Sequence, residues 1–421
     1  GRALGADRQG VGRQERVSHE GSEKMSTAVS KSALSGVVVL DVSRVLAGPF
    51  AAQMLGDHGA EVIKLESFDG DDTRAYGPPF LDGDAPYYIG LNRNKQDLAV
   101  DLSTPAGREI LFRLLERVDV LVENFKLSTW RKWGIDDPAA FARRFPRLIH
   151  CRVSGFGEHG QLGGLPGYDA AVQALSGLMS INGDPALDPV RIGIPLVDTS
   201  TGMNAVIGVL LALYEREKSG RGQSIEVTLF DTALGMLHPH TANALNGGRS
   251  ARTGNGHPNI VPYDLYPTRT EKLFVAIGND RQFGRLCEVL GKPELATDVR
   301  YRTNRDRVVN RESLRCALAD LLAGFDGKQL FHQLMALGVP CAPMLSVEQA
   351  LELEHTAQRG MSASIGKYRV TGIPIKLDRT PGELRLAPPR IGEHSRDVMQ
   401  RFGFRDDDIQ AAIQDGTVKQ A

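Results

Sequence analysis

Residues 37–66 alternate two apolar stretches with one helix-compatible stretch. GVVVLDV reads as a strand, Pro49 suits the first turn of a helix, AAQMLGDHG stops at Gly59, and AEVIKLE reads as a second strand. Two strands joined by a helix lie parallel. The pattern then repeats, with a strand at 98–102, a helix opening at Pro105, and strands at 119–124 and 148–156. The fold class is therefore α/β, with helices covering a mainly parallel, Rossmann-like sheet.

Two more helices follow, each behind a glycine- or proline-rich loop. In the first, Tyr168, Val172, Leu175 and Met179 share a face behind Asp169. In the second, Met203, Val206, Ile207, Leu210, Leu211 and Tyr214 have helical spacing behind Asp198. A strand at 220–231 ends this part. From about Gly247 the chain changes character to a Gly/Arg/Ser/Asn stretch, a hairpin (YDLYPTRTEKLFVAIGN) and a helical block to about Gly338, which reads as a smaller α+β domain. The expected division is a disordered leader at 1–33, a large domain at 34–230, a linker at 231–254, a small domain at 255–345, and a linker with a C-terminal return to the large domain at 346–421. Within the leader, Met25 is a candidate first residue, and Asp7, Glu15, Glu20 and Glu23 argue against a mitochondrial presequence.

Charge narrows the function classes. Lys+Arg is 50 against Asp+Glu 51, a net charge of −1 with no long run of one sign, which disfavours nucleic-acid and membrane-surface binding. The longest apolar run, Ala205 to Tyr214, falls short of the ~20 residues that span a bilayer. Cys151, Cys287, Cys316 and Cys341 are scattered, with no CxxC pair and no histidine at metal-ligand spacing. No metal site is expected, and a reduced, cytoplasmic compartment is.

Within the first βαβ unit, Glu66 stands where an acid holds a ribose in dinucleotide folds, but the loop SRVLAGPF lacks the GxGxxG glycines. The helix start at Pro49 still offers amides to an anion. Asp198 and Asp169 both sit at helix starts, where a carboxylate is held ionised and can attack an activated acyl carbon, or merely caps the helix. Lys64, Lys95, Arg131 and Lys132 are candidate phosphate ligands or solvated surface. His257 and His394 lack a paired nucleophile, and Trp130 and Trp133 read as packing. The residues alone point to a phosphate-bearing ligand and a carboxylate at a helix start.

A series of stretches resembles the family III CoA-transferases: VLDVSRVLAGPFAAQMLGDHGAEVIKLE, NRNKQDLAVDL, DVLVENF, RLIHCRVSGFG, GYDAAVQALSGLM, VDTSTGMNAVIGVLLAL, KSGRGQSIEVTLFDTAL, HPNIVPYDLY, GVPCAPM and PPRIGEHS, in order from Gly36 to His394. The resemblance implies that Asp198, in VDTSTG, is the nucleophile. Its carboxylate attacks a donor thioester to give a mixed anhydride, the released CoA thiolate converts this to an aspartyl-CoA thioester, and an acceptor acid then takes the CoA. Positions implied to bind CoA are Leu46, Ala47, Val100, Asp101, Leu102, Ser103, Asn124, Phe125, Lys132, Tyr168 and Asp169. Ser67 and Lys132 stand where a relative has arginine, and the family's glycine loop is here only the short GNGH at 254–257.

The resemblance further implies no permanently bound cofactor, an acyl-CoA substrate, and a ring-shaped chain in an interlocked homodimer. GDDTRAYGPPF, PYYIGLNRNK and GHPNIVPYDLY look most like members that move CoA from succinyl-CoA to a dicarboxylate such as glutarate. The alternatives are a 2-methylacyl-CoA racemase of the same fold and a catalytically inactive CoA- or nucleotide-binding protein. Racemases of this fold carry a histidine before the aspartate of GYD; Tyr168 stands there, which removes the second base of a two-base epimerisation.

Overall fold

The computed structural model describes residues 32–135 and 138–421, so nearly all of the expected leader lies outside the described residues. Its centre is a seven-stranded sheet formed by β1 (Val38–Asp41), β2 (Glu61–Glu66), β3 (Lys95–Val100), β4 (Val120–Glu123), β5 (Ile149–Ser154), β6 (Ser224–Thr228) and a last strand, Val418–Lys419. The order runs Val418–Lys419, β3, β2, β1, β4, β5, β6. Every pairing is parallel except that of the last strand, which runs antiparallel along the β3 edge. The chain's last strand thus lies on the edge of the large sheet.

Strand residues alternate between two cores because successive side chains point to opposite faces. Leu40, Ile63, Leu98 and Leu121 pack under the Pro105–Leu115 and Ser395–Arg401 helices, and Val39, Val62, Val120 and Cys151 pack under the Ala47–Asp57 and Leu196–Ser219 helices. Burial on both faces explains why these strands read as continuous apolar runs. The order reverses between β1 and β4, and at that point the chain leaves in opposite directions and opens a crevice.

The Leu196–Ser219 helix lies across the Ala47–Asp57 helix, and Gly202 sets how closely. A Cβ on Gly202 would meet the Ala47 carbonyl oxygen at 2.7 Å and the Phe50 ring at 3.0 Å. Its buried face is made of Val197, Thr201, Gly202, Ala205, Val206, Val209 and Ala212. The longer apolar side chains Met203, Ile207, Leu210, Leu211 and Tyr214 point outward instead. Helix-on-helix contact selects small residues here, so the conspicuous apolar stripe is the exposed one. Counted over its full 24 residues, this helix is long and apolar enough to cross a bilayer, unlike the ten-residue run seen in the sequence; part of it is packed into the domain core.

The helix after Asp169 is shorter than its spacing suggests. It ends at Leu175, and Gly177, at φ +90°, turns the chain into a separate turn at Leu178–Ile181. Tyr168 and Leu175 consequently stay exposed while Val172 is buried. Beyond residue 260 a three-stranded antiparallel sheet, Tyr263–Pro267, Lys272–Ala276 and Cys341–Pro343, gathers its own core of Leu273, Val275, Phe283, Leu318 and Leu334. A hairpin, Ser362–Ile365 with Tyr368–Thr371, follows it.

Candidate active site

A cleft of about 1030 Å³ opens at the carboxyl ends of β1 to β5, centred on the switch point. Leu46, Ala47, Val100, Asp101, Leu102, Ser103, Asn124, Phe125, Tyr168 and Asp198 all line it, although they come from five segments of chain. Lys132 does not. It is exposed on the Leu127–Lys132 helix, and its neighbour Arg131, about 100° round the helix, lines the cleft in its place. Asp169 is also outside the lining, buried behind Asp198.

The floor is built from buried ion pairs. Lys95 donates to Asp41 Oδ2 (2.8 Å), the Pro49 carbonyl (2.9 Å) and Asn92 Oδ1 (2.8 Å), while Lys64 donates to Asp71 Oδ2 (3.1 Å) and the Ser43 carbonyl (3.2 Å). Both ammonium groups are fully buried, so neither is a phosphate ligand. Burial, together with the nearby Lys64 charge, pulls Lys95 down to about 8 against the pull of Asp41. For Lys64 burial is outweighed by Asp41, Glu66 and Asp71, which hold it above the usual lysine range. Glu66 is locked by Arg74 (2.5 Å) and accepts the Asp71 amide (2.6 Å). Burial alone would raise its carboxyl, but the hydrogen bond with Asp97 and the charges of Lys64 and Arg74 bring it down to about 2. Glu66 lines the cleft, but its carboxylate is already engaged by Arg74 and the Asp71 amide.

These pairs shape the rim. Asp71 accepts the amides of Val45 (3.2 Å) and Thr73 (3.0 Å), and so holds Val45 at φ +72°, a conformation that costs a β-branched residue. The turn places Leu46 at the N-cap of the Ala47–Asp57 helix, whose first-turn amides have no intrahelical acceptor. Asn124 bridges the loops after β1 and β4: Arg44 N donates to its Oδ1 (3.1 Å) and its Nδ2 donates to the Arg44 carbonyl (2.9 Å). Phe125 meets Trp130 and Trp133 edge to face at 5.7 and 5.6 Å, Trp130 buried and Trp133 on the cleft wall. Hydrogen bonds from the Ser103 hydroxyl and then from its amide (2.9 Å) lower the Asp101 carboxyl.

Asp198 is the third residue of the Leu196–Ser219 helix, with Pro195 at the N-cap. The amides of Val197 (2.7 Å) and Asp198 (3.1 Å) donate to Asp169 Oδ2, so capping is done by Asp169 and not by Asp198. The Asp198 carboxyl faces the cleft. Burial, and then repulsion from Asp169, pushes it up to about 7. This reverses the expectation of a carboxylate held ionised by the helix dipole, because Asp169 already occupies the amides. The Tyr87 phenol, pushed up to about 12 by burial and by Asp198 nearby, meets Tyr76 edge to face at 5.5 Å. Neither tyrosine lines the cleft, and their only sequence signal is the tyrosine density of AYGPPF and PYYIG. His257 accepts the Asn259 amide (3.0 Å) and His394 the Asp97 amide (3.2 Å), so both have local structural partners.

Fold and site together define an α/β protein with a ligand cleft at the sheet's switch point and a carboxyl group on its wall. Residues 34–395 match the family model described as CoA-transferase family III, and the chain belongs to that family: it is a CoA-transferase acting on CoA thioesters. A succinate–glutarate CoA-transferase from Agrobacterium fabrum is 38% identical over 88% of this chain and 95% of its own length. An acetyl-CoA:oxalate CoA-transferase from Acetobacter aceti is 36% identical over 89% and 97%. The crystal structure of a CAIB/BAIF family protein from Brucella suis superposes with a TM-score of 0.79, at 37% identity, over 88% of this chain and all of that one.

Proposed function

We propose that the protein moves CoA from succinyl-CoA to a dicarboxylate such as glutarate, with Asp198 as the carrier. The observation that carries this reading is the Asp198 carboxyl on the cleft wall, free of capping duty because Asp169 takes the helix amides. An ionised Asp198 oxygen attacks the succinyl carbonyl, forming a mixed anhydride and expelling CoA thiolate. The thiolate attacks the Asp198 carbonyl, giving aspartyl-CoA thioester and free succinate. The acceptor carboxylate attacks that thioester, again releasing the thiolate, which then takes the acceptor's acyl carbon and returns Asp198 as a carboxylate. Holding the thiolate beside the anhydride makes each return step effectively unimolecular.

Leu46, Ala47 and Asn124 at the switch point, Val100 to Ser103 on one flank and Phe125 on the other give a thioester a continuous wall ending at Asp198. Free amides at the start of the Ala47–Asp57 helix suit a phosphate. Arg131 replaces Lys132 as the cation we assign to the cleft mouth. The exposed stripe on the Leu196–Ser219 helix supports a homodimer, since contiguous apolar surface of this kind marks an interface; the interlocked arrangement belongs to the same proposal. Four free cysteines fit a reducing, cytoplasmic setting.

An exchange assay tests the reading: succinyl-CoA with glutarate should yield glutaryl-CoA, faster than oxalate yields oxalyl-CoA. The Asp198→Ala variant should lose about 10³-fold or more in kcat. Full activity in that variant, or no transfer to any dicarboxylate, would overturn the proposal.

A further inference from the structure

Asp169 is a buried carboxylate that the chemistry above leaves unused. Its Oδ2 accepts the Val197 and Asp198 amides, and its Oδ1 accepts Gln173 Nε2 (2.6 Å). Gln173, itself buried, accepts the Ile192 amide (2.8 Å) through Oε1. One carboxylate and one amide thus fix the chain from Ile192 to the first turn that carries Asp198. Asp169 is 7% exposed and does not line the cleft, so it has no route to substrate.

We infer that Asp169 is a positioning residue that makes the free carboxylate of Asp198 the costly state and the acylated, uncharged Asp198 the relieved one. The inference rests on the carrier role proposed above. An anion at a helix N-terminus uses the positive end of the dipole, and a second carboxylate beside it ionises reluctantly. Acylation moves the second charge off Asp198, onto the CoA thiolate beside the anhydride or onto the released carboxylate beside the thioester, and so relieves the repulsion at the helix start. The covalent enzyme is therefore favoured over the free carboxylate without any contact from Asp169 to the reacting atoms. Burial acts in the same direction on Asp198.

Other titratable groups on the surrounding elements do not reproduce this arrangement. Tyr87, Tyr76 and Tyr168 bring phenols. Asp71 is paired with Lys64, and Arg152 is engaged by Glu123 and Glu158. Asp231, on the neighbouring Leu229–Met236 helix, is exposed.

The test loads the protein with succinyl-CoA without acceptor, traps the ester with borohydride or hydroxylamine, and measures Asp198 labelling by mass spectrometry from pH 5 to 9. In Asp169→Asn, whose oxygen still accepts the amides while its Nδ2 faces the Gln173 Nε2 donor and lowers Tm, the acidic limb of labelling in the folded protein should move down by roughly one pH unit and the labelled fraction should fall several-fold. Asp169→Glu keeps the charge and should keep the limb. Asp169→Ser, neutral and able to accept, gives the same reading if the asparagine variant does not fold. A wild-type limb and labelled fraction in folded Asp169→Asn or Asp169→Ser would overturn the inference. Absence of labelling in the unsubstituted protein would instead overturn the carrier role of Asp198.

Discussion

A carboxyl group pushed up to about 7 alters stability as well as reactivity. Because its folded value lies above the unfolded one, Asp198 holds its proton in the native state between about pH 4 and 7 and must lose it above that. Folding stability is therefore given up as pH rises through this window, and the whole cost is present at pH 8. Asp198→Asn should melt about 5 °C higher than the unsubstituted protein at pH 8, with the gap closing toward pH 4, as calorimetry at both pH values would record. A pH-independent gap would mean that burial does not set this carboxyl. The position of Asp198 at a helix start was legible in VDTSTG, but its protonation was not, because no local pattern reveals that a carboxylate 29 residues earlier takes the same amides. Lys64 and Lys95 mislead for a related reason. In sequence these lysines read as phosphate ligands or solvated surface, and only the fold brings Asp71 and Asp41 to them.

At the level of elements, the parallel strands and their crossover helices were readable because burial on both faces writes itself as apolar runs of strand length. The outer face of the Leu196–Ser219 helix was not, since large apolar residues draw attention away from the glycine and alanines that make the real contact. Gly202 is the hinge of that packing. Its substitution by alanine places a methyl 2.7 Å from the Ala47 carbonyl, so the two helices must separate. Overpacking of this kind costs about 1–3 kcal/mol, and the same movement displaces Asp198 from the switch point. Gly202→Ala should lower both the denaturation midpoint and the rate of CoA transfer, whereas Gly235→Ala, where a methyl meets open space, should leave the midpoint nearly unchanged. Equal effects at the two glycines would remove close helix approach as the reason for Gly202.

For the whole molecule, one chain leaves Met203, Ile207, Leu210, Leu211 and Tyr214 in water along a single helix, with Leu211 and Tyr214 about two-thirds exposed. A second copy covering this stripe is the arrangement proposed above. Because interlocked chains part only on unfolding, Leu211→Glu should lower the denaturation midpoint and leave monomer in light scattering after refolding at micromolar concentration; a refolded dimer with an unchanged midpoint would exclude the stripe as the contact. The tail's return to β3 also belongs to this scale, and its Pro-rich, basic composition hinted at it only weakly. What the strand order adds is a reason for the cleft's location: at the switch point between β1 and β4, loops and a helix start converge on Asp198. Mass spectrometry of the peptide containing Asp198, after incubation with succinyl-CoA and trapping with hydroxylamine, tests that convergence most directly. The expected result is a hydroxamate at Asp198 and nowhere else, absent in Asp198→Ala. A protein that transfers CoA to glutarate with Asp198 unmodified throughout would contradict it.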